Sequence, residues 1–189
     1  MYLKVISYFL LCVLMILIVS FQSDKNVLLW QEGKLLTWED FKGKPEKRFA
    51  AASTHYDILK SVEPLPQKKI NVKIEAVFFR HKSWKNKNWI NEEVLEHEQK
   101  HFDIVELFAR RLRKAIYEFK FKNFNHLTSS VDSLYTIYDK EMDKYQDRYD
   151  EESDGSMNGA KQREWEKKIM SEIAGLKEFE KTSLEIELK

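Results

Sequence analysis

The sequence predicts an α+β fold in which strands come first and helices follow. Three patterns carry that expectation. From Ile70 to Phe79 the chain alternates, with Ile70, Val72, Ile74, Ala76 and Phe78 on one face and Asn71, Lys73 and Glu75 on the other, as in a strand with one wet side. A helix is expected over 92–119, after the N-cap residue Asn91 and with Glu92 and Glu93 at the positive end of its dipole. Two later segments repeat apolar residues at helical spacing, one on Val131, Leu134, Tyr138, Met142, Tyr145 and Tyr149, the other on Trp165, Ile169, Ile173, Leu176 and Phe179.

The 189 residues divide into a leader, 1–23, and one domain, 24–189. Lys4 precedes an apolar run from Val5 to Val19, short for a membrane span and sized for the core of an export signal. Two outcomes stay open: cleavage near Ser20 or Ser23 to give a secreted or periplasmic protein, or retention as a membrane anchor over residues 5–21. The sole cysteine, Cys12, lies in this leader, so the domain is expected to have no disulfide. Lys4 is also the leader's one charged side chain among 32 basic and 31 acidic residues in the chain, which leaves the domain formally neutral. A neutral domain offers no electrostatic footprint for nucleic acid, and membrane contact is expected only through an uncleaved leader.

Within the domain, Asn26–Trp30 and Lys34–Trp38 flank a turn-sized gap containing Gly33, which suggests a hairpin. Gly43, Pro45, Pro64 and Pro66 mark loops around a short strand candidate at Ala52–Ile58. In the long helix, Val94, His97, His101, Ile104, Val105, Phe108, Leu112, Ala115, Ile116 and Phe119 fall in one stripe at 100° per residue. Gln99, Asp103, Glu106, Arg110, Arg113, Lys114 and Tyr117 fall opposite, on the face expected to meet solvent. Two histidines therefore sit on the core face with Glu98 at its edge, and buried polar groups need partners.

His97-Glu98-Gln99-Lys100-His101 is the H-E-x-x-H pattern, whose i, i+4 spacing brings two imidazoles to one side of a helix where they can hold one ion, usually zinc. Glu98, beside the first histidine, is then placed to act as general base toward a water acidified by the metal. His55, His81 and His126 have no partner spacing and are assigned no role. No G-x-S-x-G or glycine-rich phosphate loop supports serine or nucleotide chemistry.

Leu36-Thr37-Trp38-Glu39-Asp40-Phe41-Lys42-Gly43-Lys44-Pro45, Lys82-Ser83-Trp84 and Leu95-Glu96-His97-Glu98-Gln99-Lys100-His101-Phe102-Asp103-Ile104 resemble the bacterial exported proteins grouped as domain of unknown function 922. The resemblance runs through nearly the whole domain. It implies a secreted zinc-dependent protease with a small antiparallel sheet beside the active-site helix, as in zincins, followed here by two further helices. The family's pattern continues as Tyr-Asp-x-x-Thr-x-His and then Gln-x-x-Trp, and it implies a third ligand at that late histidine. Here the stretch is Tyr149-Asp150-Glu151-Glu152-Ser153-Asp154-Gly155, followed by Gln162 and Trp165, so Gly155 stands in the histidine's place.

A carboxylate is an ordinary third zinc ligand after H-E-x-x-H. Glu152 is the expected one, reaching back from beyond a helix that ends near Tyr149, with Asp150 in reserve. A rival reading places Asp150, Glu152, Asp154 and Gly155 in a calcium loop, which Lys161 breaks at the position that needs a bidentate acid. The sequence thus points to an exported zinc-dependent hydrolase, most simply a peptidase acting on peptide or protein substrates, with His97, His101 and Glu152 as metal ligands and Glu98 as catalytic base. The alternative is a catalytically silent relative serving as a binding or envelope-associated module. The Ile70–Phe79 strand is expected to form a sheet edge to which an extended peptide adds.

Overall fold

The computed structural model describes residues 25–46 and 50–188; the leader lies outside them. Among the described residues five strands precede three long helices, as expected, and a sixth strand follows them, giving a mixed α and β fold with small antiparallel sheets. Strands β1 (Val27–Leu29), β3 (Tyr56–Pro64), β4 (Lys69–Phe79) and β6 (Ser183–Glu187) form one sheet, while β2 (Ala52–Ser53) and β5 (Trp84–Lys85) form a second, two-stranded one. The helices are α1 (Glu92–Glu118), α2 (Phe124–Ser153) and α3 (Gly159–Gly175). Among the described residues no helix is long and apolar enough to cross a membrane.

The alternation read from the sequence sets β4: Ile70, Val72, Ile74, Ala76 and Phe78 are all buried. Its position in the sheet differs from the edge expected. β4 pairs with β3 along one side over Tyr56↔Phe78 to Pro64↔Ile70. On the other side it pairs with β1 (Val27↔Phe79) and β6 (Lys73↔Ser183). A strand bonded on both flanks has no free backbone groups to offer a peptide. The N-terminal hairpin also does not form. β1 joins β4 instead, and the Leu36 amide donates to Gln99 Oε1 of α1 at 2.7 Å, so the segment expected to be its partner is held as a loop against the helix.

Asn91 caps α1 as expected, its side chain accepting from the Val94 amide at 2.8 Å. The helix passes between the main sheet and the α2–α3 pair and is therefore buried on both sides. Gln99, Asp103, Glu106, Arg110 and Arg113, expected to face solvent, are all buried. Burial of so many charges demands a closed network. Glu106 takes Arg110 Nε at 2.8 Å and Arg113 Nη2 at 2.9 Å, while the two guanidiniums donate onward to the carbonyls of Ile173 in α3 and Ile74 in β4. Asp103 accepts from Trp30 Nε1, Gln99 Nε2 and Lys100 Nζ at 2.8–3.0 Å. The charged side of α1 thus ties the helix to its neighbours. The apolar core is continuous around it, from Ile74 and Phe78 through Phe102, Ile104 and Phe108 to Tyr149, Trp165 and Ile169.

Gly43 makes one contact between the main fold and the small sheet, a bridge to Trp84. Its amide donates to the Ser83 carbonyl at 2.7 Å, and a Cβ at this position would lie 2.8–2.9 Å from three carbonyl oxygens, those of Ser83, His81 and Lys82. Only a residue without a side chain permits that approach.

Candidate metal centre

The first turns of α1 carry His97 and His101 on the side that faces α2. Their Nε2 atoms lie 3.1 Å apart, and each is 3.0 Å from Oδ1 of Asp150. These three residues form a group able to hold a metal ion. In a tetrahedral zinc site, bonds of about 2.0–2.1 Å put neighbouring ligand atoms about 3.3 Å apart, close to the spacing seen here.

Neighbouring side chains set which ring nitrogens face the centre. Gln146 donates through Nε2 to the His101 carbonyl at 3.0 Å, which leaves its Oε1 to accept from His101 Nδ1 at 2.7 Å. Ser153 Oγ donates to the Tyr149 carbonyl at 2.7 Å and so presents a lone pair to His97 Nδ1, 3.5 Å away. Both Nδ1 atoms therefore carry the hydrogen in the neutral rings, and both Nε2 lone pairs point at the carboxylate oxygen. Three acceptors converging within 3.1 Å repel one another unless positive charge lies among them. Tyr149 braces the rings, stacked on His97 at 4.7 Å between centroids and edge-on to His101 at 5.3 Å.

The electrostatics of the metal-free site express the same demand. Burial disfavours the His101 imidazolium, yet Asp150, Glu98 and Gln146 outweigh it and push its pKa up to about 9. Burial also works against the Asp150 carboxylate, but its bonds to His101 and His97 hold it well below the usual carboxylate range. Glu98 is 5% exposed, and its Oε2 is buried with no hydrogen-bond partner. It lines the same cleft as the triad. An unpartnered buried carboxylate oxygen costs free energy, and such costs concentrate where a ligand or a reaction needs the group.

Glu152, the carboxylate expected from the sequence, is not in the centre. Helix α2 runs to Ser153, four residues beyond the expected end at Tyr149, with Asp154 in the left-handed conformation as its C-cap (φ 50°). Residues 150 and 152 are thus both helical and about 200° apart around the axis. With Asp150 facing the imidazoles, Glu152 faces α3, where its Oε2 accepts from Trp165 Nε1 at 2.9 Å. The same helical extension removes the calcium-loop reading, since Asp150 and Glu152 lie on a helix and not in a loop. Gly155, at the expected histidine position, lines the cleft with a φ of 54°, and a Cβ there would meet nothing within 4 Å. Gln146 and Ser153 escaped the sequence reading. The signal available was their spacing from Asp150, i−4 and i+3, which sets two polar residues beside Tyr145 and Tyr149 on an otherwise apolar helix face.

The centre opens into a cleft of about 1060 Å³. One wall is the small sheet, from Ala50 to Thr54 with Trp84, and the other is formed by α2 and the turn that follows it. The Thr54 hydroxyl donates to the Glu98 carbonyl at 3.3 Å, fixing β2 beside the H-E-x-x-H turn.

No curated protein and no solved structure matches the chain. A family model described as bacterial protein of unknown function (DUF922) matches residues 45–159, a span that holds the small sheet, all of α1 and α2, and with them His97, Glu98, His101 and Asp150. The chain belongs to that family.

Proposed function

We propose that the chain is a zinc-dependent hydrolase of zincin-like build, acting on peptide bonds. The observation that carries this reading is the convergence of His97 Nε2, His101 Nε2 and Asp150 Oδ1 within 3.1 Å, beside a buried carboxylate, Glu98, that has an unpartnered oxygen. Two imidazoles and one carboxylate suit zinc and leave a coordination position open for chemistry. The bound ion would lower the pKa of a water to about 7 and polarise a carbonyl.

The chain's own residues do the rest. Glu98 accepts the proton of the attacking water and delivers it to the leaving nitrogen, which suits a buried carboxylate with one oxygen uncommitted. Gln146 and Ser153 keep the imidazole lone pairs aimed inward. The cleft supports a peptide substrate because β2, paired with β5 on one side among the described residues, offers a strand edge within it. Export through the leader, cleaved or retained as an anchor, belongs to this proposal. The silent-module reading rests on Gly155 standing where the family's histidine is expected.

Metal analysis paired with a hydrolysis assay separates the two. The purified full chain is expected to bind one equivalent of zinc, to cleave an unfolded protein substrate, to lose activity to a chelator and to regain it with zinc. Glu98→Gln is expected to keep the zinc and lose hydrolysis by at least about a hundredfold, because an amide does not accept the water's proton. A chain that binds no stoichiometric metal, or a Glu98→Gln variant as active as the parent, overturns the hydrolase.

A further inference from the structure

Among the described residues, the charged side chains that line the cleft are carboxylates. Glu93, Glu98, Asp147, Asp150 and Asp154 line it, and among the described residues no lysine or arginine does. Asp150 and Glu98 belong to the metal and the chemistry and together balance a divalent ion. Glu93, Asp147 and Asp154 are then surplus. None of them forms a salt bridge with a described residue, although cations stand on the flanking helices: Arg148 is turned to Glu152 at 3.8 Å and Lys161 to Glu164 at 2.7 Å. The acidic wall continues along α2, where Asp139 and Asp143 lie i−8 and i−4 from Asp147 and likewise form no salt bridge with a described residue. Tyr56 of β3, which also lines the cleft, feels this field: after burial itself, Asp143, Asp150, Asp147 and Asp139 all push its phenol pKa upward.

The rim adds apolar surface. Trp89, before α1, is 45% exposed, and Met157, in the α2–α3 turn, is 81% exposed, and both line the cleft. A lysine or arginine side chain has the complementary form, an apolar stem ending in a cation that aromatic faces and carboxylates both attract.

We propose that the cleft selects peptides carrying lysine or arginine beside the bond presented to Glu98, with Glu93, Asp147 and Asp154 receiving the cation and Trp89 and Met157 its stem. The inference rests on the metallopeptidase reading and names its substrate class. At the site it shares with that reading the buried, unpartnered Glu98 Oε2, which marks the cleft floor as a place where something binds.

Two arms test it. In the first, the zinc-loaded full chain is given paired fluorogenic peptides that differ only in having Lys and Arg, or Glu, at the residues flanking the scissile bond. The basic peptide is expected to show a kcat/KM about tenfold higher, a preference that shrinks as salt screens the wall. Combining Asp147→Asn with Glu93→Gln should bring the ratio toward one with zinc content unchanged, whereas Glu185→Gln on distant β6 should leave it alone. Equal rates for the two peptides overturn the substrate class and leave the hydrolase standing. In the second arm, fluorescence anisotropy measures labelled basic and acidic peptides on zinc-loaded Glu98→Gln protein, which needs no turnover. Tighter binding of the basic peptide by about tenfold, reduced in the Asp147→Asn, Glu93→Gln combination, supports the proposal even if the parent cleaves neither peptide. Equal affinities overturn it.

Discussion

Asp150 and Glu152 are two positions apart, and the helix sends them to opposite neighbours. Glu152 receives the Trp165 indole hydrogen and Asp150 meets two imidazoles. Zinc titration should therefore separate them. Asp150→Ala is expected to weaken binding by at least about tenfold, since two imidazoles alone hold zinc poorly, while Glu152→Ala should bind like the parent. Equal loss in both variants would return Glu152 to the centre. The same residues predict a pH dependence for the metal-free protein. His101, with its folded pKa raised to about 9, contributes stability that is full below its unfolded pKa of about 6.5 and is lost as pH rises through about 9. Asp150, with its folded pKa depressed, contributes above about pH 4 and loses that contribution as pH falls through its folded value. Melting temperatures measured with chelator present should be highest between about pH 4 and 6.5 and fall toward pH 9.5, and Asp150→Asn should flatten that alkaline fall. A parent curve already flat across the alkaline range would show that the pair does not couple to folding.

At the scale of the element, α1 has two jobs that its sequence pattern shows unequally. Its apolar stripe, with His97 and His101 within it, is legible because a 3.6-residue period is a local property. Its other face is chemically polar and structurally buried. A run of Gln99, Asp103, Glu106, Arg110 and Arg113 looks like a solvated face until β4, β6 and the α3 end close over it, and only then do Glu106 and its two arginines become an internal tie. Removing the carboxylate should be costly. Glu106→Ala leaves two buried guanidiniums without their counter-charge and is expected to lower unfolding free energy by about 3–5 kcal/mol in urea denaturation. A loss below about 1 kcal/mol would mean that the network is hydrated and carries little of the fold. β4 shows the same contrast. Its alternation tells which side chains point inward, and says nothing about whether one flank or both are paired.

For the molecule as a whole, the candidate metal centre is a joint between α1 and α2, with possible ligands from each and braces from Gln146, Tyr149 and Ser153 of α2. An ion bound there favours the folded chain over the unfolded one, because the unfolded chain does not bring the three ligands together. At zinc about a hundredfold above Kd, the gain is about 2.7 kcal/mol, which for a domain of this size raises the melting temperature by about 5–11 °C. Calorimetry with zinc and with chelator reads the shift directly. It should survive Glu98→Gln and fall to about half or less in Asp150→Ala. No shift in the parent would mean that the ion does not join the two helices.

Taken alone, the sequence determined what depends on neighbours along the chain: strands ahead of the helices, though not β6 behind them, the inward face of β4, the cap and span of α1, and the meeting of His97 with His101 one helical turn apart. Each follows from a period or a cap that a few residues define. The tertiary structure decided what depends on distance across the fold. It ran α2 on through Ser153, so that Asp150 and not Glu152 faces the imidazoles, buried the polar side of α1, and placed β4 in the middle of its sheet. The physical reason is that a helix end, a sheet neighbour and a buried charge are chosen by packing partners tens of residues away, and no local pattern contains them.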